Sequence, residues 1–334
     1  MSEAGSPRVK LGVADVLSTT ARVIGARIAP FLLIAALGAT PGSILMTVVN
    51  HFLQAKLMGM ASATTAGNPD AIRDMLGGMA VLFAGLMGAL VVHMLLTYTA
   101  QAVLVRGTID WIGGRSPDLS EMVRTAMPRV PSVLGVVLLR GLAQVGAMMP
   151  GMIIGLVMMA GVGGVAGGLA NGHAGGGETA AIGVIGMLCA MPIMMIAMIV
   201  PMTYIAILLF TAEPAAIAEG MGPIRAISRS SALSRGNRLA IFLLILTAGA
   251  AFIVLSCGLG MFSGIANVAT GGMDAATGMA RAPSVVASVV GALVYIVMYT
   301  VQALIFGPLA AVIYARLAGL SARVDAAEVA EVFS

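Results

Sequence analysis

Residues 222–246 read GPIRAISRSSALSRGNRLAIFLLIL, and in this stretch a basic segment runs directly into an apolar one. Four arginines precede a run of apolar residues that continues to about residue 266. About 20 apolar residues suffice for a helix to cross a bilayer, and arginines at the end of such a helix can reach anionic head groups. The stretch therefore predicts a transmembrane helix that begins at a membrane surface.

The composition of the whole chain indicates the same environment. Of the 334 residues, 59% are hydrophobic and 10% are charged, whereas a soluble domain carries about 25% charged residues. So few charges cannot cover a water-facing surface, and we expect lipid to surround the chain. The net charge of +4 is small and aromatic residues make up only 4%. We therefore expect no nucleic-acid partner, because single strands bind largely by stacking on aromatic side chains.

Six apolar runs are long enough to span a membrane, at roughly 28–50, 78–105, 132–160, 181–211, 239–266 and 285–315. Fourteen basic residues precede the first run, follow the last run, or connect the second run to the third and the fourth to the fifth. The other three connections carry three basic residues. By the positive-inside rule, the N- and C-termini face the cytoplasm. The six runs predict a multi-pass membrane protein. The bias of 16 arginines against two lysines fits a GC-rich bacterial genome, so we expect the membrane to be a bacterial inner membrane.

The segments before the first and third apolar runs share one spacing of apolar positions. Val13, Val16, Leu17, Thr20 and Ile24 recur, with an offset of 106 residues, as Leu119, Met122, Val123, Ala126 and Val130. The segment YTAQAVL at 98–104 has a counterpart, YTVQALI, at 299–305, and Tyr204 lies 106 residues after Tyr98. The alternative is chance similarity among apolar segments.

The shared offset favours three repeated units, each a cytoplasmic amphipathic helix followed by a transmembrane hairpin. The predicted fold is thus an all-α polytopic membrane domain over 1–334. The units cover roughly 11–112, 117–213 and 222–320, and a cytoplasmic tail covers 321–334. Small residues on the spans are expected to let helices pack closely. These are Gly85, Gly88, Gly135, Gly141, Gly155 and Gly291.

A few polar residues within the apolar runs form a candidate intramembrane site. Arg140 lies within the third run, and an ion at that depth indicates function, although an arginine can also reach back to the surface. Gln144 lies one turn deeper on the same helix face, while His93, Gln101 and Gln302 belong to the second and sixth runs. Hydrogen bonds between helices would explain these three as well as a solute path would. All acidic residues fall in connections or tails, so we expect no acid–base pair inside the membrane.

No catalytic or metal-binding motif is present in the sequence. The three histidines and two cysteines are scattered, without HExxH, CxxC or a phosphate-binding loop. A methionine stripe in the fourth run, which includes Met187, Met191, Met195, Met198 and Met202, has the spacing of one helix face. Thioethers can bind Cu(I), but flexible packing is the alternative in a chain with 26 methionines. We expect no enzymatic activity, no cofactor and no metal site.

The motif RSSALSRG at 229–236, followed by a basic residue and an apolar run, resembles the membrane domain of glycerophosphoryl diester phosphodiesterases. Matching positions are Arg229, Ser230, Leu233, Ser234, Arg235 and Gly236, whereas Ser231 stands where that family usually has an aromatic residue. The opening LGVADVLSTTARVIGARIAPFLLIAAL at 11–37 resembles the start of such proteins. The resemblance implies a six-helix membrane module, shared with uncharacterised bacterial proteins, that lacks the catalytic barrel domain.

These patterns predict a non-catalytic membrane module that organises partner proteins or anionic lipids. Its basic surface motif would comprise Arg225, Arg229, Arg235 and Arg238, with Gly236 allowing the chain to turn into the membrane. The expected partners are anionic head groups and a membrane or cytoplasmic protein. One alternative is a small-solute or lipid transporter with a polar cavity near Arg140. A second alternative is Cu(I) handling along the methionine stripe.

Overall fold

A computed structural model describes residues 10–65, 69–115, 118–170, 178–270 and 284–320, except for the side chains of residue 55 and of 57–76 and 158–190. Within these ranges the chain is helical and contains no strand, which confirms the all-α prediction for this part of the protein. The predicted tail at 321–334 lies outside the described residues. The helices are α1 (Val13–Ala26), α2 (Ile28–Thr65), α3 (Pro69–Ile112), α4 (Leu119–Ala126), α5 (Val130–Ala170), α6 (Glu178–Leu209), α7 (Ala212–Glu219), α8 (Pro223–Leu233), α9 (Arg238–Ala269) and α10 (Val285–Leu317).

In the described part of the chain, six helical stretches are long and apolar enough to cross a membrane. They are Ile28–Gln54, Gly77–Ile112, Leu119–Val157, Met191–Glu219, Arg238–Ala269 and Val285–Leu317. Their number and order agree with the six apolar runs, so the prediction of a six-span, multi-pass chain is confirmed. The helices also extend beyond the apolar runs: α3 begins at Pro69, and α5 continues to Ala170.

A short helix precedes each odd-numbered span. These helices are α1 before α2, α4 with a 3-10 turn (Met127–Arg129) before α5, and α8 before α9. Each buries a narrow stripe, such as Val16, Thr20 and Val23 of α1, and Ala226 and Ser230 of α8. They pack at one end of the bundle, which we call the arginine-rich end. The order of elements is compatible with three units, but the repeat itself stays a prediction.

Glycines set the closest helix contacts, although only some of the predicted ones do so. A Cβ at Gly135 would lie 2.9 Å from Cγ of Pro223 on α8, and one at Gly155 would lie 2.8 Å from Sδ of Met194 on α6. The prediction was wrong for four positions, which have no neighbour within 4 Å among the described residues: Gly85, Gly88, Gly141 and Gly291. Composition alone does not tell which face of a helix meets another helix. The contact between α2 and α3 instead uses Gly38 against Ala100 and Gly42 against His93.

The most deeply buried element at the arginine-rich end is the short helix α7. Residues 212–217 of α7 are all buried, because α3, α5, α8 and α10 all contact the helix. Its small side chains, in the sequence AEPAAIAE, allow this close approach. The facing part of α10 is equally buried from Gly307 to Ala315. By contrast, α5 and α6 pack chiefly against each other, and this pair meets the remaining helices through α7, which contacts α3 and α10, and through direct contacts of α5 with α3 and of α6 with α9.

Candidate intramembrane polar site

A cavity of about 370 Å³ lies among α3, α5, α6, α7, α9 and α10, and we call it the polar cavity. Its polar lining residues are His93, Thr97, Tyr98, Gln101, Arg140, Glu213, Tyr299 and Gln302. Its apolar lining residues include Leu90, Phe210, Ile245 and Phe306. A cavity of this size that combines convergent polar groups with apolar side chains is typical of a site for a small ligand.

An ion pair between Arg140 on α5 and Glu213 on α7 lies at the polar cavity. The guanidinium Nη1 donates to Oε1 of the carboxylate at 3.2 Å. The Glu213 side chain is 5% exposed, whereas that of Arg140 is 26% exposed, so the arginine keeps access to the open space. Glu213 lies in the first turn of α7, where the amide groups of the helix favour a negative charge. The ion pair with Glu213 therefore explains why an arginine lies in this apolar run, without a contact of its side chain to the membrane surface.

The other end of α7 is fixed by contacts to three helices. Glu219 accepts hydrogen bonds from the Tyr314 hydroxyl at 2.6 Å and from Nε of Arg229 at 3.0 Å. Gly220 then ends the helix with a φ of +66°, and its carbonyl accepts a hydrogen bond from Arg129 at 3.3 Å. A side chain at residue 220 would also meet that guanidinium. These contacts fix the position of α7, and with it the depth at which Glu213 enters the cavity.

The polar residues of the basic motif connect α8 to the end of α6. Ser230 is fully buried, and its hydroxyl bonds the Leu208 carbonyl at 2.7 Å and lies 2.9 Å from the Thr211 hydroxyl. The serine of the motif thus serves packing inside the protein. Gly236 adopts a φ of +89° where the chain turns into α9, as the sequence predicts.

The arginines of the basic motif fall into two classes. Arg229 is paired with Glu219, and Arg238 donates to the Tyr204 hydroxyl at 3.0 Å with its guanidinium carbon 5.5 Å from the ring centre. Arg225 and Arg235 are exposed and have no partner among the described residues. This second pair has its guanidinium groups unengaged within the described structure.

The cavity brings together four of the five predicted polar residues: His93, Gln101, Arg140 and Gln302. The fifth, Gln144, does not line it. His93 is 6% exposed, with its ring edge-on to Tyr299 at 4.4 Å between centres and its Nδ1 against Gly42. Neither cavity glutamine has a hydrogen-bond partner in the described ranges, and the expected bonds between helices stay a prediction.

Glu213 is the residue that sequence reasoning missed. The expectation that all acidic residues fall in connections or tails was wrong for Glu213, because α7 is buried against α3, α5, α8 and α10 and carries this carboxylate with it. Asp110, 4% exposed near the end of α3 and paired with Arg106 at 3.0 Å, is a second exception. The signal in the sequence was the continuation of the fourth apolar run through TAEPAAIA, in which small residues surround one acid.

The methionine stripe does not converge on a common centre. Met191, Met195 and Met202 are exposed on the outer face of α6, whereas Met198 packs against Gly151 of α5. The side chain of Met187 lies outside the described residues. No group of three His, Cys, Asp or Glu side chains in the described part of the chain is placed to hold a metal ion.

The comparison with protein families matches residues 145–317, from the middle of α5 to the end of α10. The chain belongs to the family described as Domain of unknown function (DUF7847). The matched region of this DUF7847 protein contains α7, Glu213 and the basic motif, whereas Arg140 lies just before it. No curated protein and no solved structure matches the chain.

Proposed function

We propose that this DUF7847 protein binds a small solute or a lipid head group in the polar cavity and carries it across a bacterial inner membrane. The observation that carries the proposal is the Arg140–Glu213 ion pair at the wall of a 370 Å³ cavity within the spans. Ionised groups at membrane depth commonly mark substrate pathways. The proposed topology places both termini in the cytoplasm, because the arginine-rich end carries most of the basic residues.

The proposed threefold repeat fits this role. Tyr98 and Gln101 on α3 and their counterparts Tyr299 and Gln302 on α10 all line the same cavity. Equivalent positions of two units thus contribute to one site, as in transporters whose substrate lies between repeated units. The resemblance to the membrane domain of glycerophosphoryl diester phosphodiesterases remains part of the proposal, and we assign no catalytic step and no cofactor to the chain.

Native mass spectrometry of the full chain, extracted gently from its own membrane, tests the proposal. The informative variant is Arg140→Leu combined with Glu213→Leu, which removes both charges together and leaves no unpaired ion. Gln144→Leu is the matched control, because it removes a polar side chain from α5 outside the cavity. We expect a bound small molecule or lipid with the wild type and the control, and its loss from the double variant. Equal retention of the same species by all three proteins would refute the proposal.

A second candidate function is the organisation of anionic lipids or partner proteins at the arginine-rich end. The observation that favours it is the exposure of Arg225 and Arg235 without partners in the described structure. Neutralising both to Gln should reduce the number of anionic lipids that remain with the purified protein. Arg238→Gln is the control, because that guanidinium already bonds Tyr204. An unchanged lipid count, with no protein partner lost, would exclude this second function.

A further inference from the structure

The charges that line the polar cavity cancel each other. Among its described lining residues, Arg140 is the one cation and Glu213 the one anion. An ion that is removed from water without a counter-charge is strongly destabilised. A ligand with a net charge would leave the occupied cavity charged, whereas a ligand without net charge would preserve the balance.

Both charged side chains are nevertheless able to interact with a ligand. A guanidinium has five N–H donors, and the Arg140 side chain is 26% exposed, so donors remain for an anionic group in the cavity. Glu213 can attract a cation, and the rings of Tyr98 and Tyr299 line the same space, where an aromatic face can also receive an ammonium group. The cavity therefore offers complementary groups for both signs of charge.

We propose that the polar cavity takes a zwitterion, a ligand without net charge whose anionic group meets Arg140 and whose cationic group lies beside Glu213 and the tyrosine rings. This inference rests on the proposed function and names the class of its substrate. A zwitterionic lipid head group and a free zwitterionic solute share this chemistry. The Gln101 and Gln302 side chains, without partners in the described ranges, would bond the polar atoms between the two charges.

The test is a swap of charge selectivity. The full chain is incubated in an equimolar mixture of phosphatidylethanolamine, which is zwitterionic, and phosphatidylglycerol, which is anionic. The lipids retained after mild detergent washing are then counted by native mass spectrometry. Glu213→Gln gives the cavity a net positive charge, Arg140→Gln gives it a net negative charge, and the double Gln variant restores neutrality. Lipids bound elsewhere cancel in each comparison because the rest of the surface is unchanged.

We expect the wild type and the double variant to prefer phosphatidylethanolamine. Glu213→Gln should shift the ratio towards phosphatidylglycerol by about tenfold, equivalent to ~1.4 kcal/mol, and Arg140→Gln should weaken retention of phosphatidylglycerol. If one single variant fails to fold, the lipid selectivity of the other single variant is compared with that of the double variant, and this comparison still tests the inference. Unchanged selectivity in Glu213→Gln, or a wild-type preference for phosphatidylglycerol, would overturn the inference.

Competition separates the two sources of the ligand. Soluble glycerophosphoethanolamine that displaces the retained lipid indicates a free head-group solute, whereas displacement by whole lipid alone indicates a lipid substrate. If the protein retains an anionic ligand and loses it in Arg140→Gln, the zwitterion inference is refuted while the proposed function still holds. If the wild type and all three Gln variants retain the same lipids in the same amounts and ratio, and none of them retains the soluble head group, both proposals fall.

Discussion

The ion pair of the polar cavity predicts an unequal response to the loss of its two members. Glu213 is 5% exposed on a helix that its neighbours hold in place, and it has no other cation in the cavity lining. Arg140→Leu would therefore strand a buried carboxylate, at a cost of about 3–5 kcal/mol in the free energy of unfolding. In Glu213→Leu the remaining arginine is 26% exposed in the wild-type geometry and can turn towards the open cavity. We expect that variant to lose about 1.5–3 kcal/mol, the value of one charged hydrogen bond.

The double variant closes a thermodynamic cycle. Arg140→Leu with Glu213→Leu replaces a partly dry ion pair by two apolar side chains, so its stability should lie within about 1 kcal/mol of the wild type. The coupling energy, which is the sum of the two single losses minus the loss of the double variant, should then be at least about 3.5 kcal/mol, above the usual range for residues in contact because Arg140→Leu strands a buried ion. The assay is reversible unfolding of the purified full chain in bicelles by increasing mole fractions of dodecyl sulfate, followed by circular dichroism. A larger loss for Glu213→Leu than for Arg140→Leu, or a coupling below about 0.5 kcal/mol, would refute the reasoning.

Three further predictions concern positions away from the ion pair and use the same unfolding assay. Gly42→Ala would force a Cβ into the histidine ring of the cavity wall and should lower the free energy of unfolding by about 1–3 kcal/mol. Gly85→Ala is the control: residue 85 has no neighbour within 4 Å among the described residues, so the change should be neutral or stabilising by up to about 1 kcal/mol. Equal effects of the two substitutions would contradict the packing of Gly42 against α3. Gly236→Ala, at a φ of +89°, should lower the free energy of unfolding by about 1–2 kcal/mol. Gly222→Ala, at a φ of −67°, should not carry this backbone penalty. An alanine at 236 that leaves the stability unchanged would exclude the left-handed turn. The backbone N–H and hydroxyl that bond Asp118 at the start of α4 lower the pKa of its carboxyl from the ordinary value of 3.8. The wild type should therefore be more stable than Asp118→Asn above pH 3.8, and this difference in the free energy of unfolding should disappear as the pH falls through the lowered pKa. A difference that grows with acidification would contradict the reasoning.

The number of spans was predictable because it depends on one physical quantity, the length of apolar chain needed to cross hydrocarbon. The candidate polar site was partly predictable for a related reason. His93, Gln101 and Gln302 are polar side chains on apolar helices, and such residues turn towards the interior of a bundle. Gln144 shows the limit of this reasoning. It lies one turn from Arg140 but does not line the polar cavity, because helix spacing alone does not give the extent of a cavity.

The choice of packing glycines was not predictable, because it depends on how the helices are arranged in space. Gly38 and Gly42 contact the neighbouring helix, while Gly85 and Gly88, on an equally apolar helix, have no neighbour within 4 Å in the described part of the chain. The spans have almost no polar face, so hydropathy does not distinguish the side that meets protein from the side that meets lipid. Only the assembled helices make that distinction.

Glu213 shows why an acidic residue next to a span need not lie in a surface connection. The segment AEPAAIAE has a carboxylate at each end and small apolar residues between them. Small side chains let the helix enter the bundle, and an entering carboxylate is stable only with a cation or donor beside it. Both ends meet this condition through other parts of the chain: Arg140 at one end, and Tyr314 with Arg229 at the other. A short acid-flanked helix between two spans therefore predicts two partners elsewhere in the sequence. Here the isolated arginine of the third span, which had no explanation in its own segment, is the partner of Glu213.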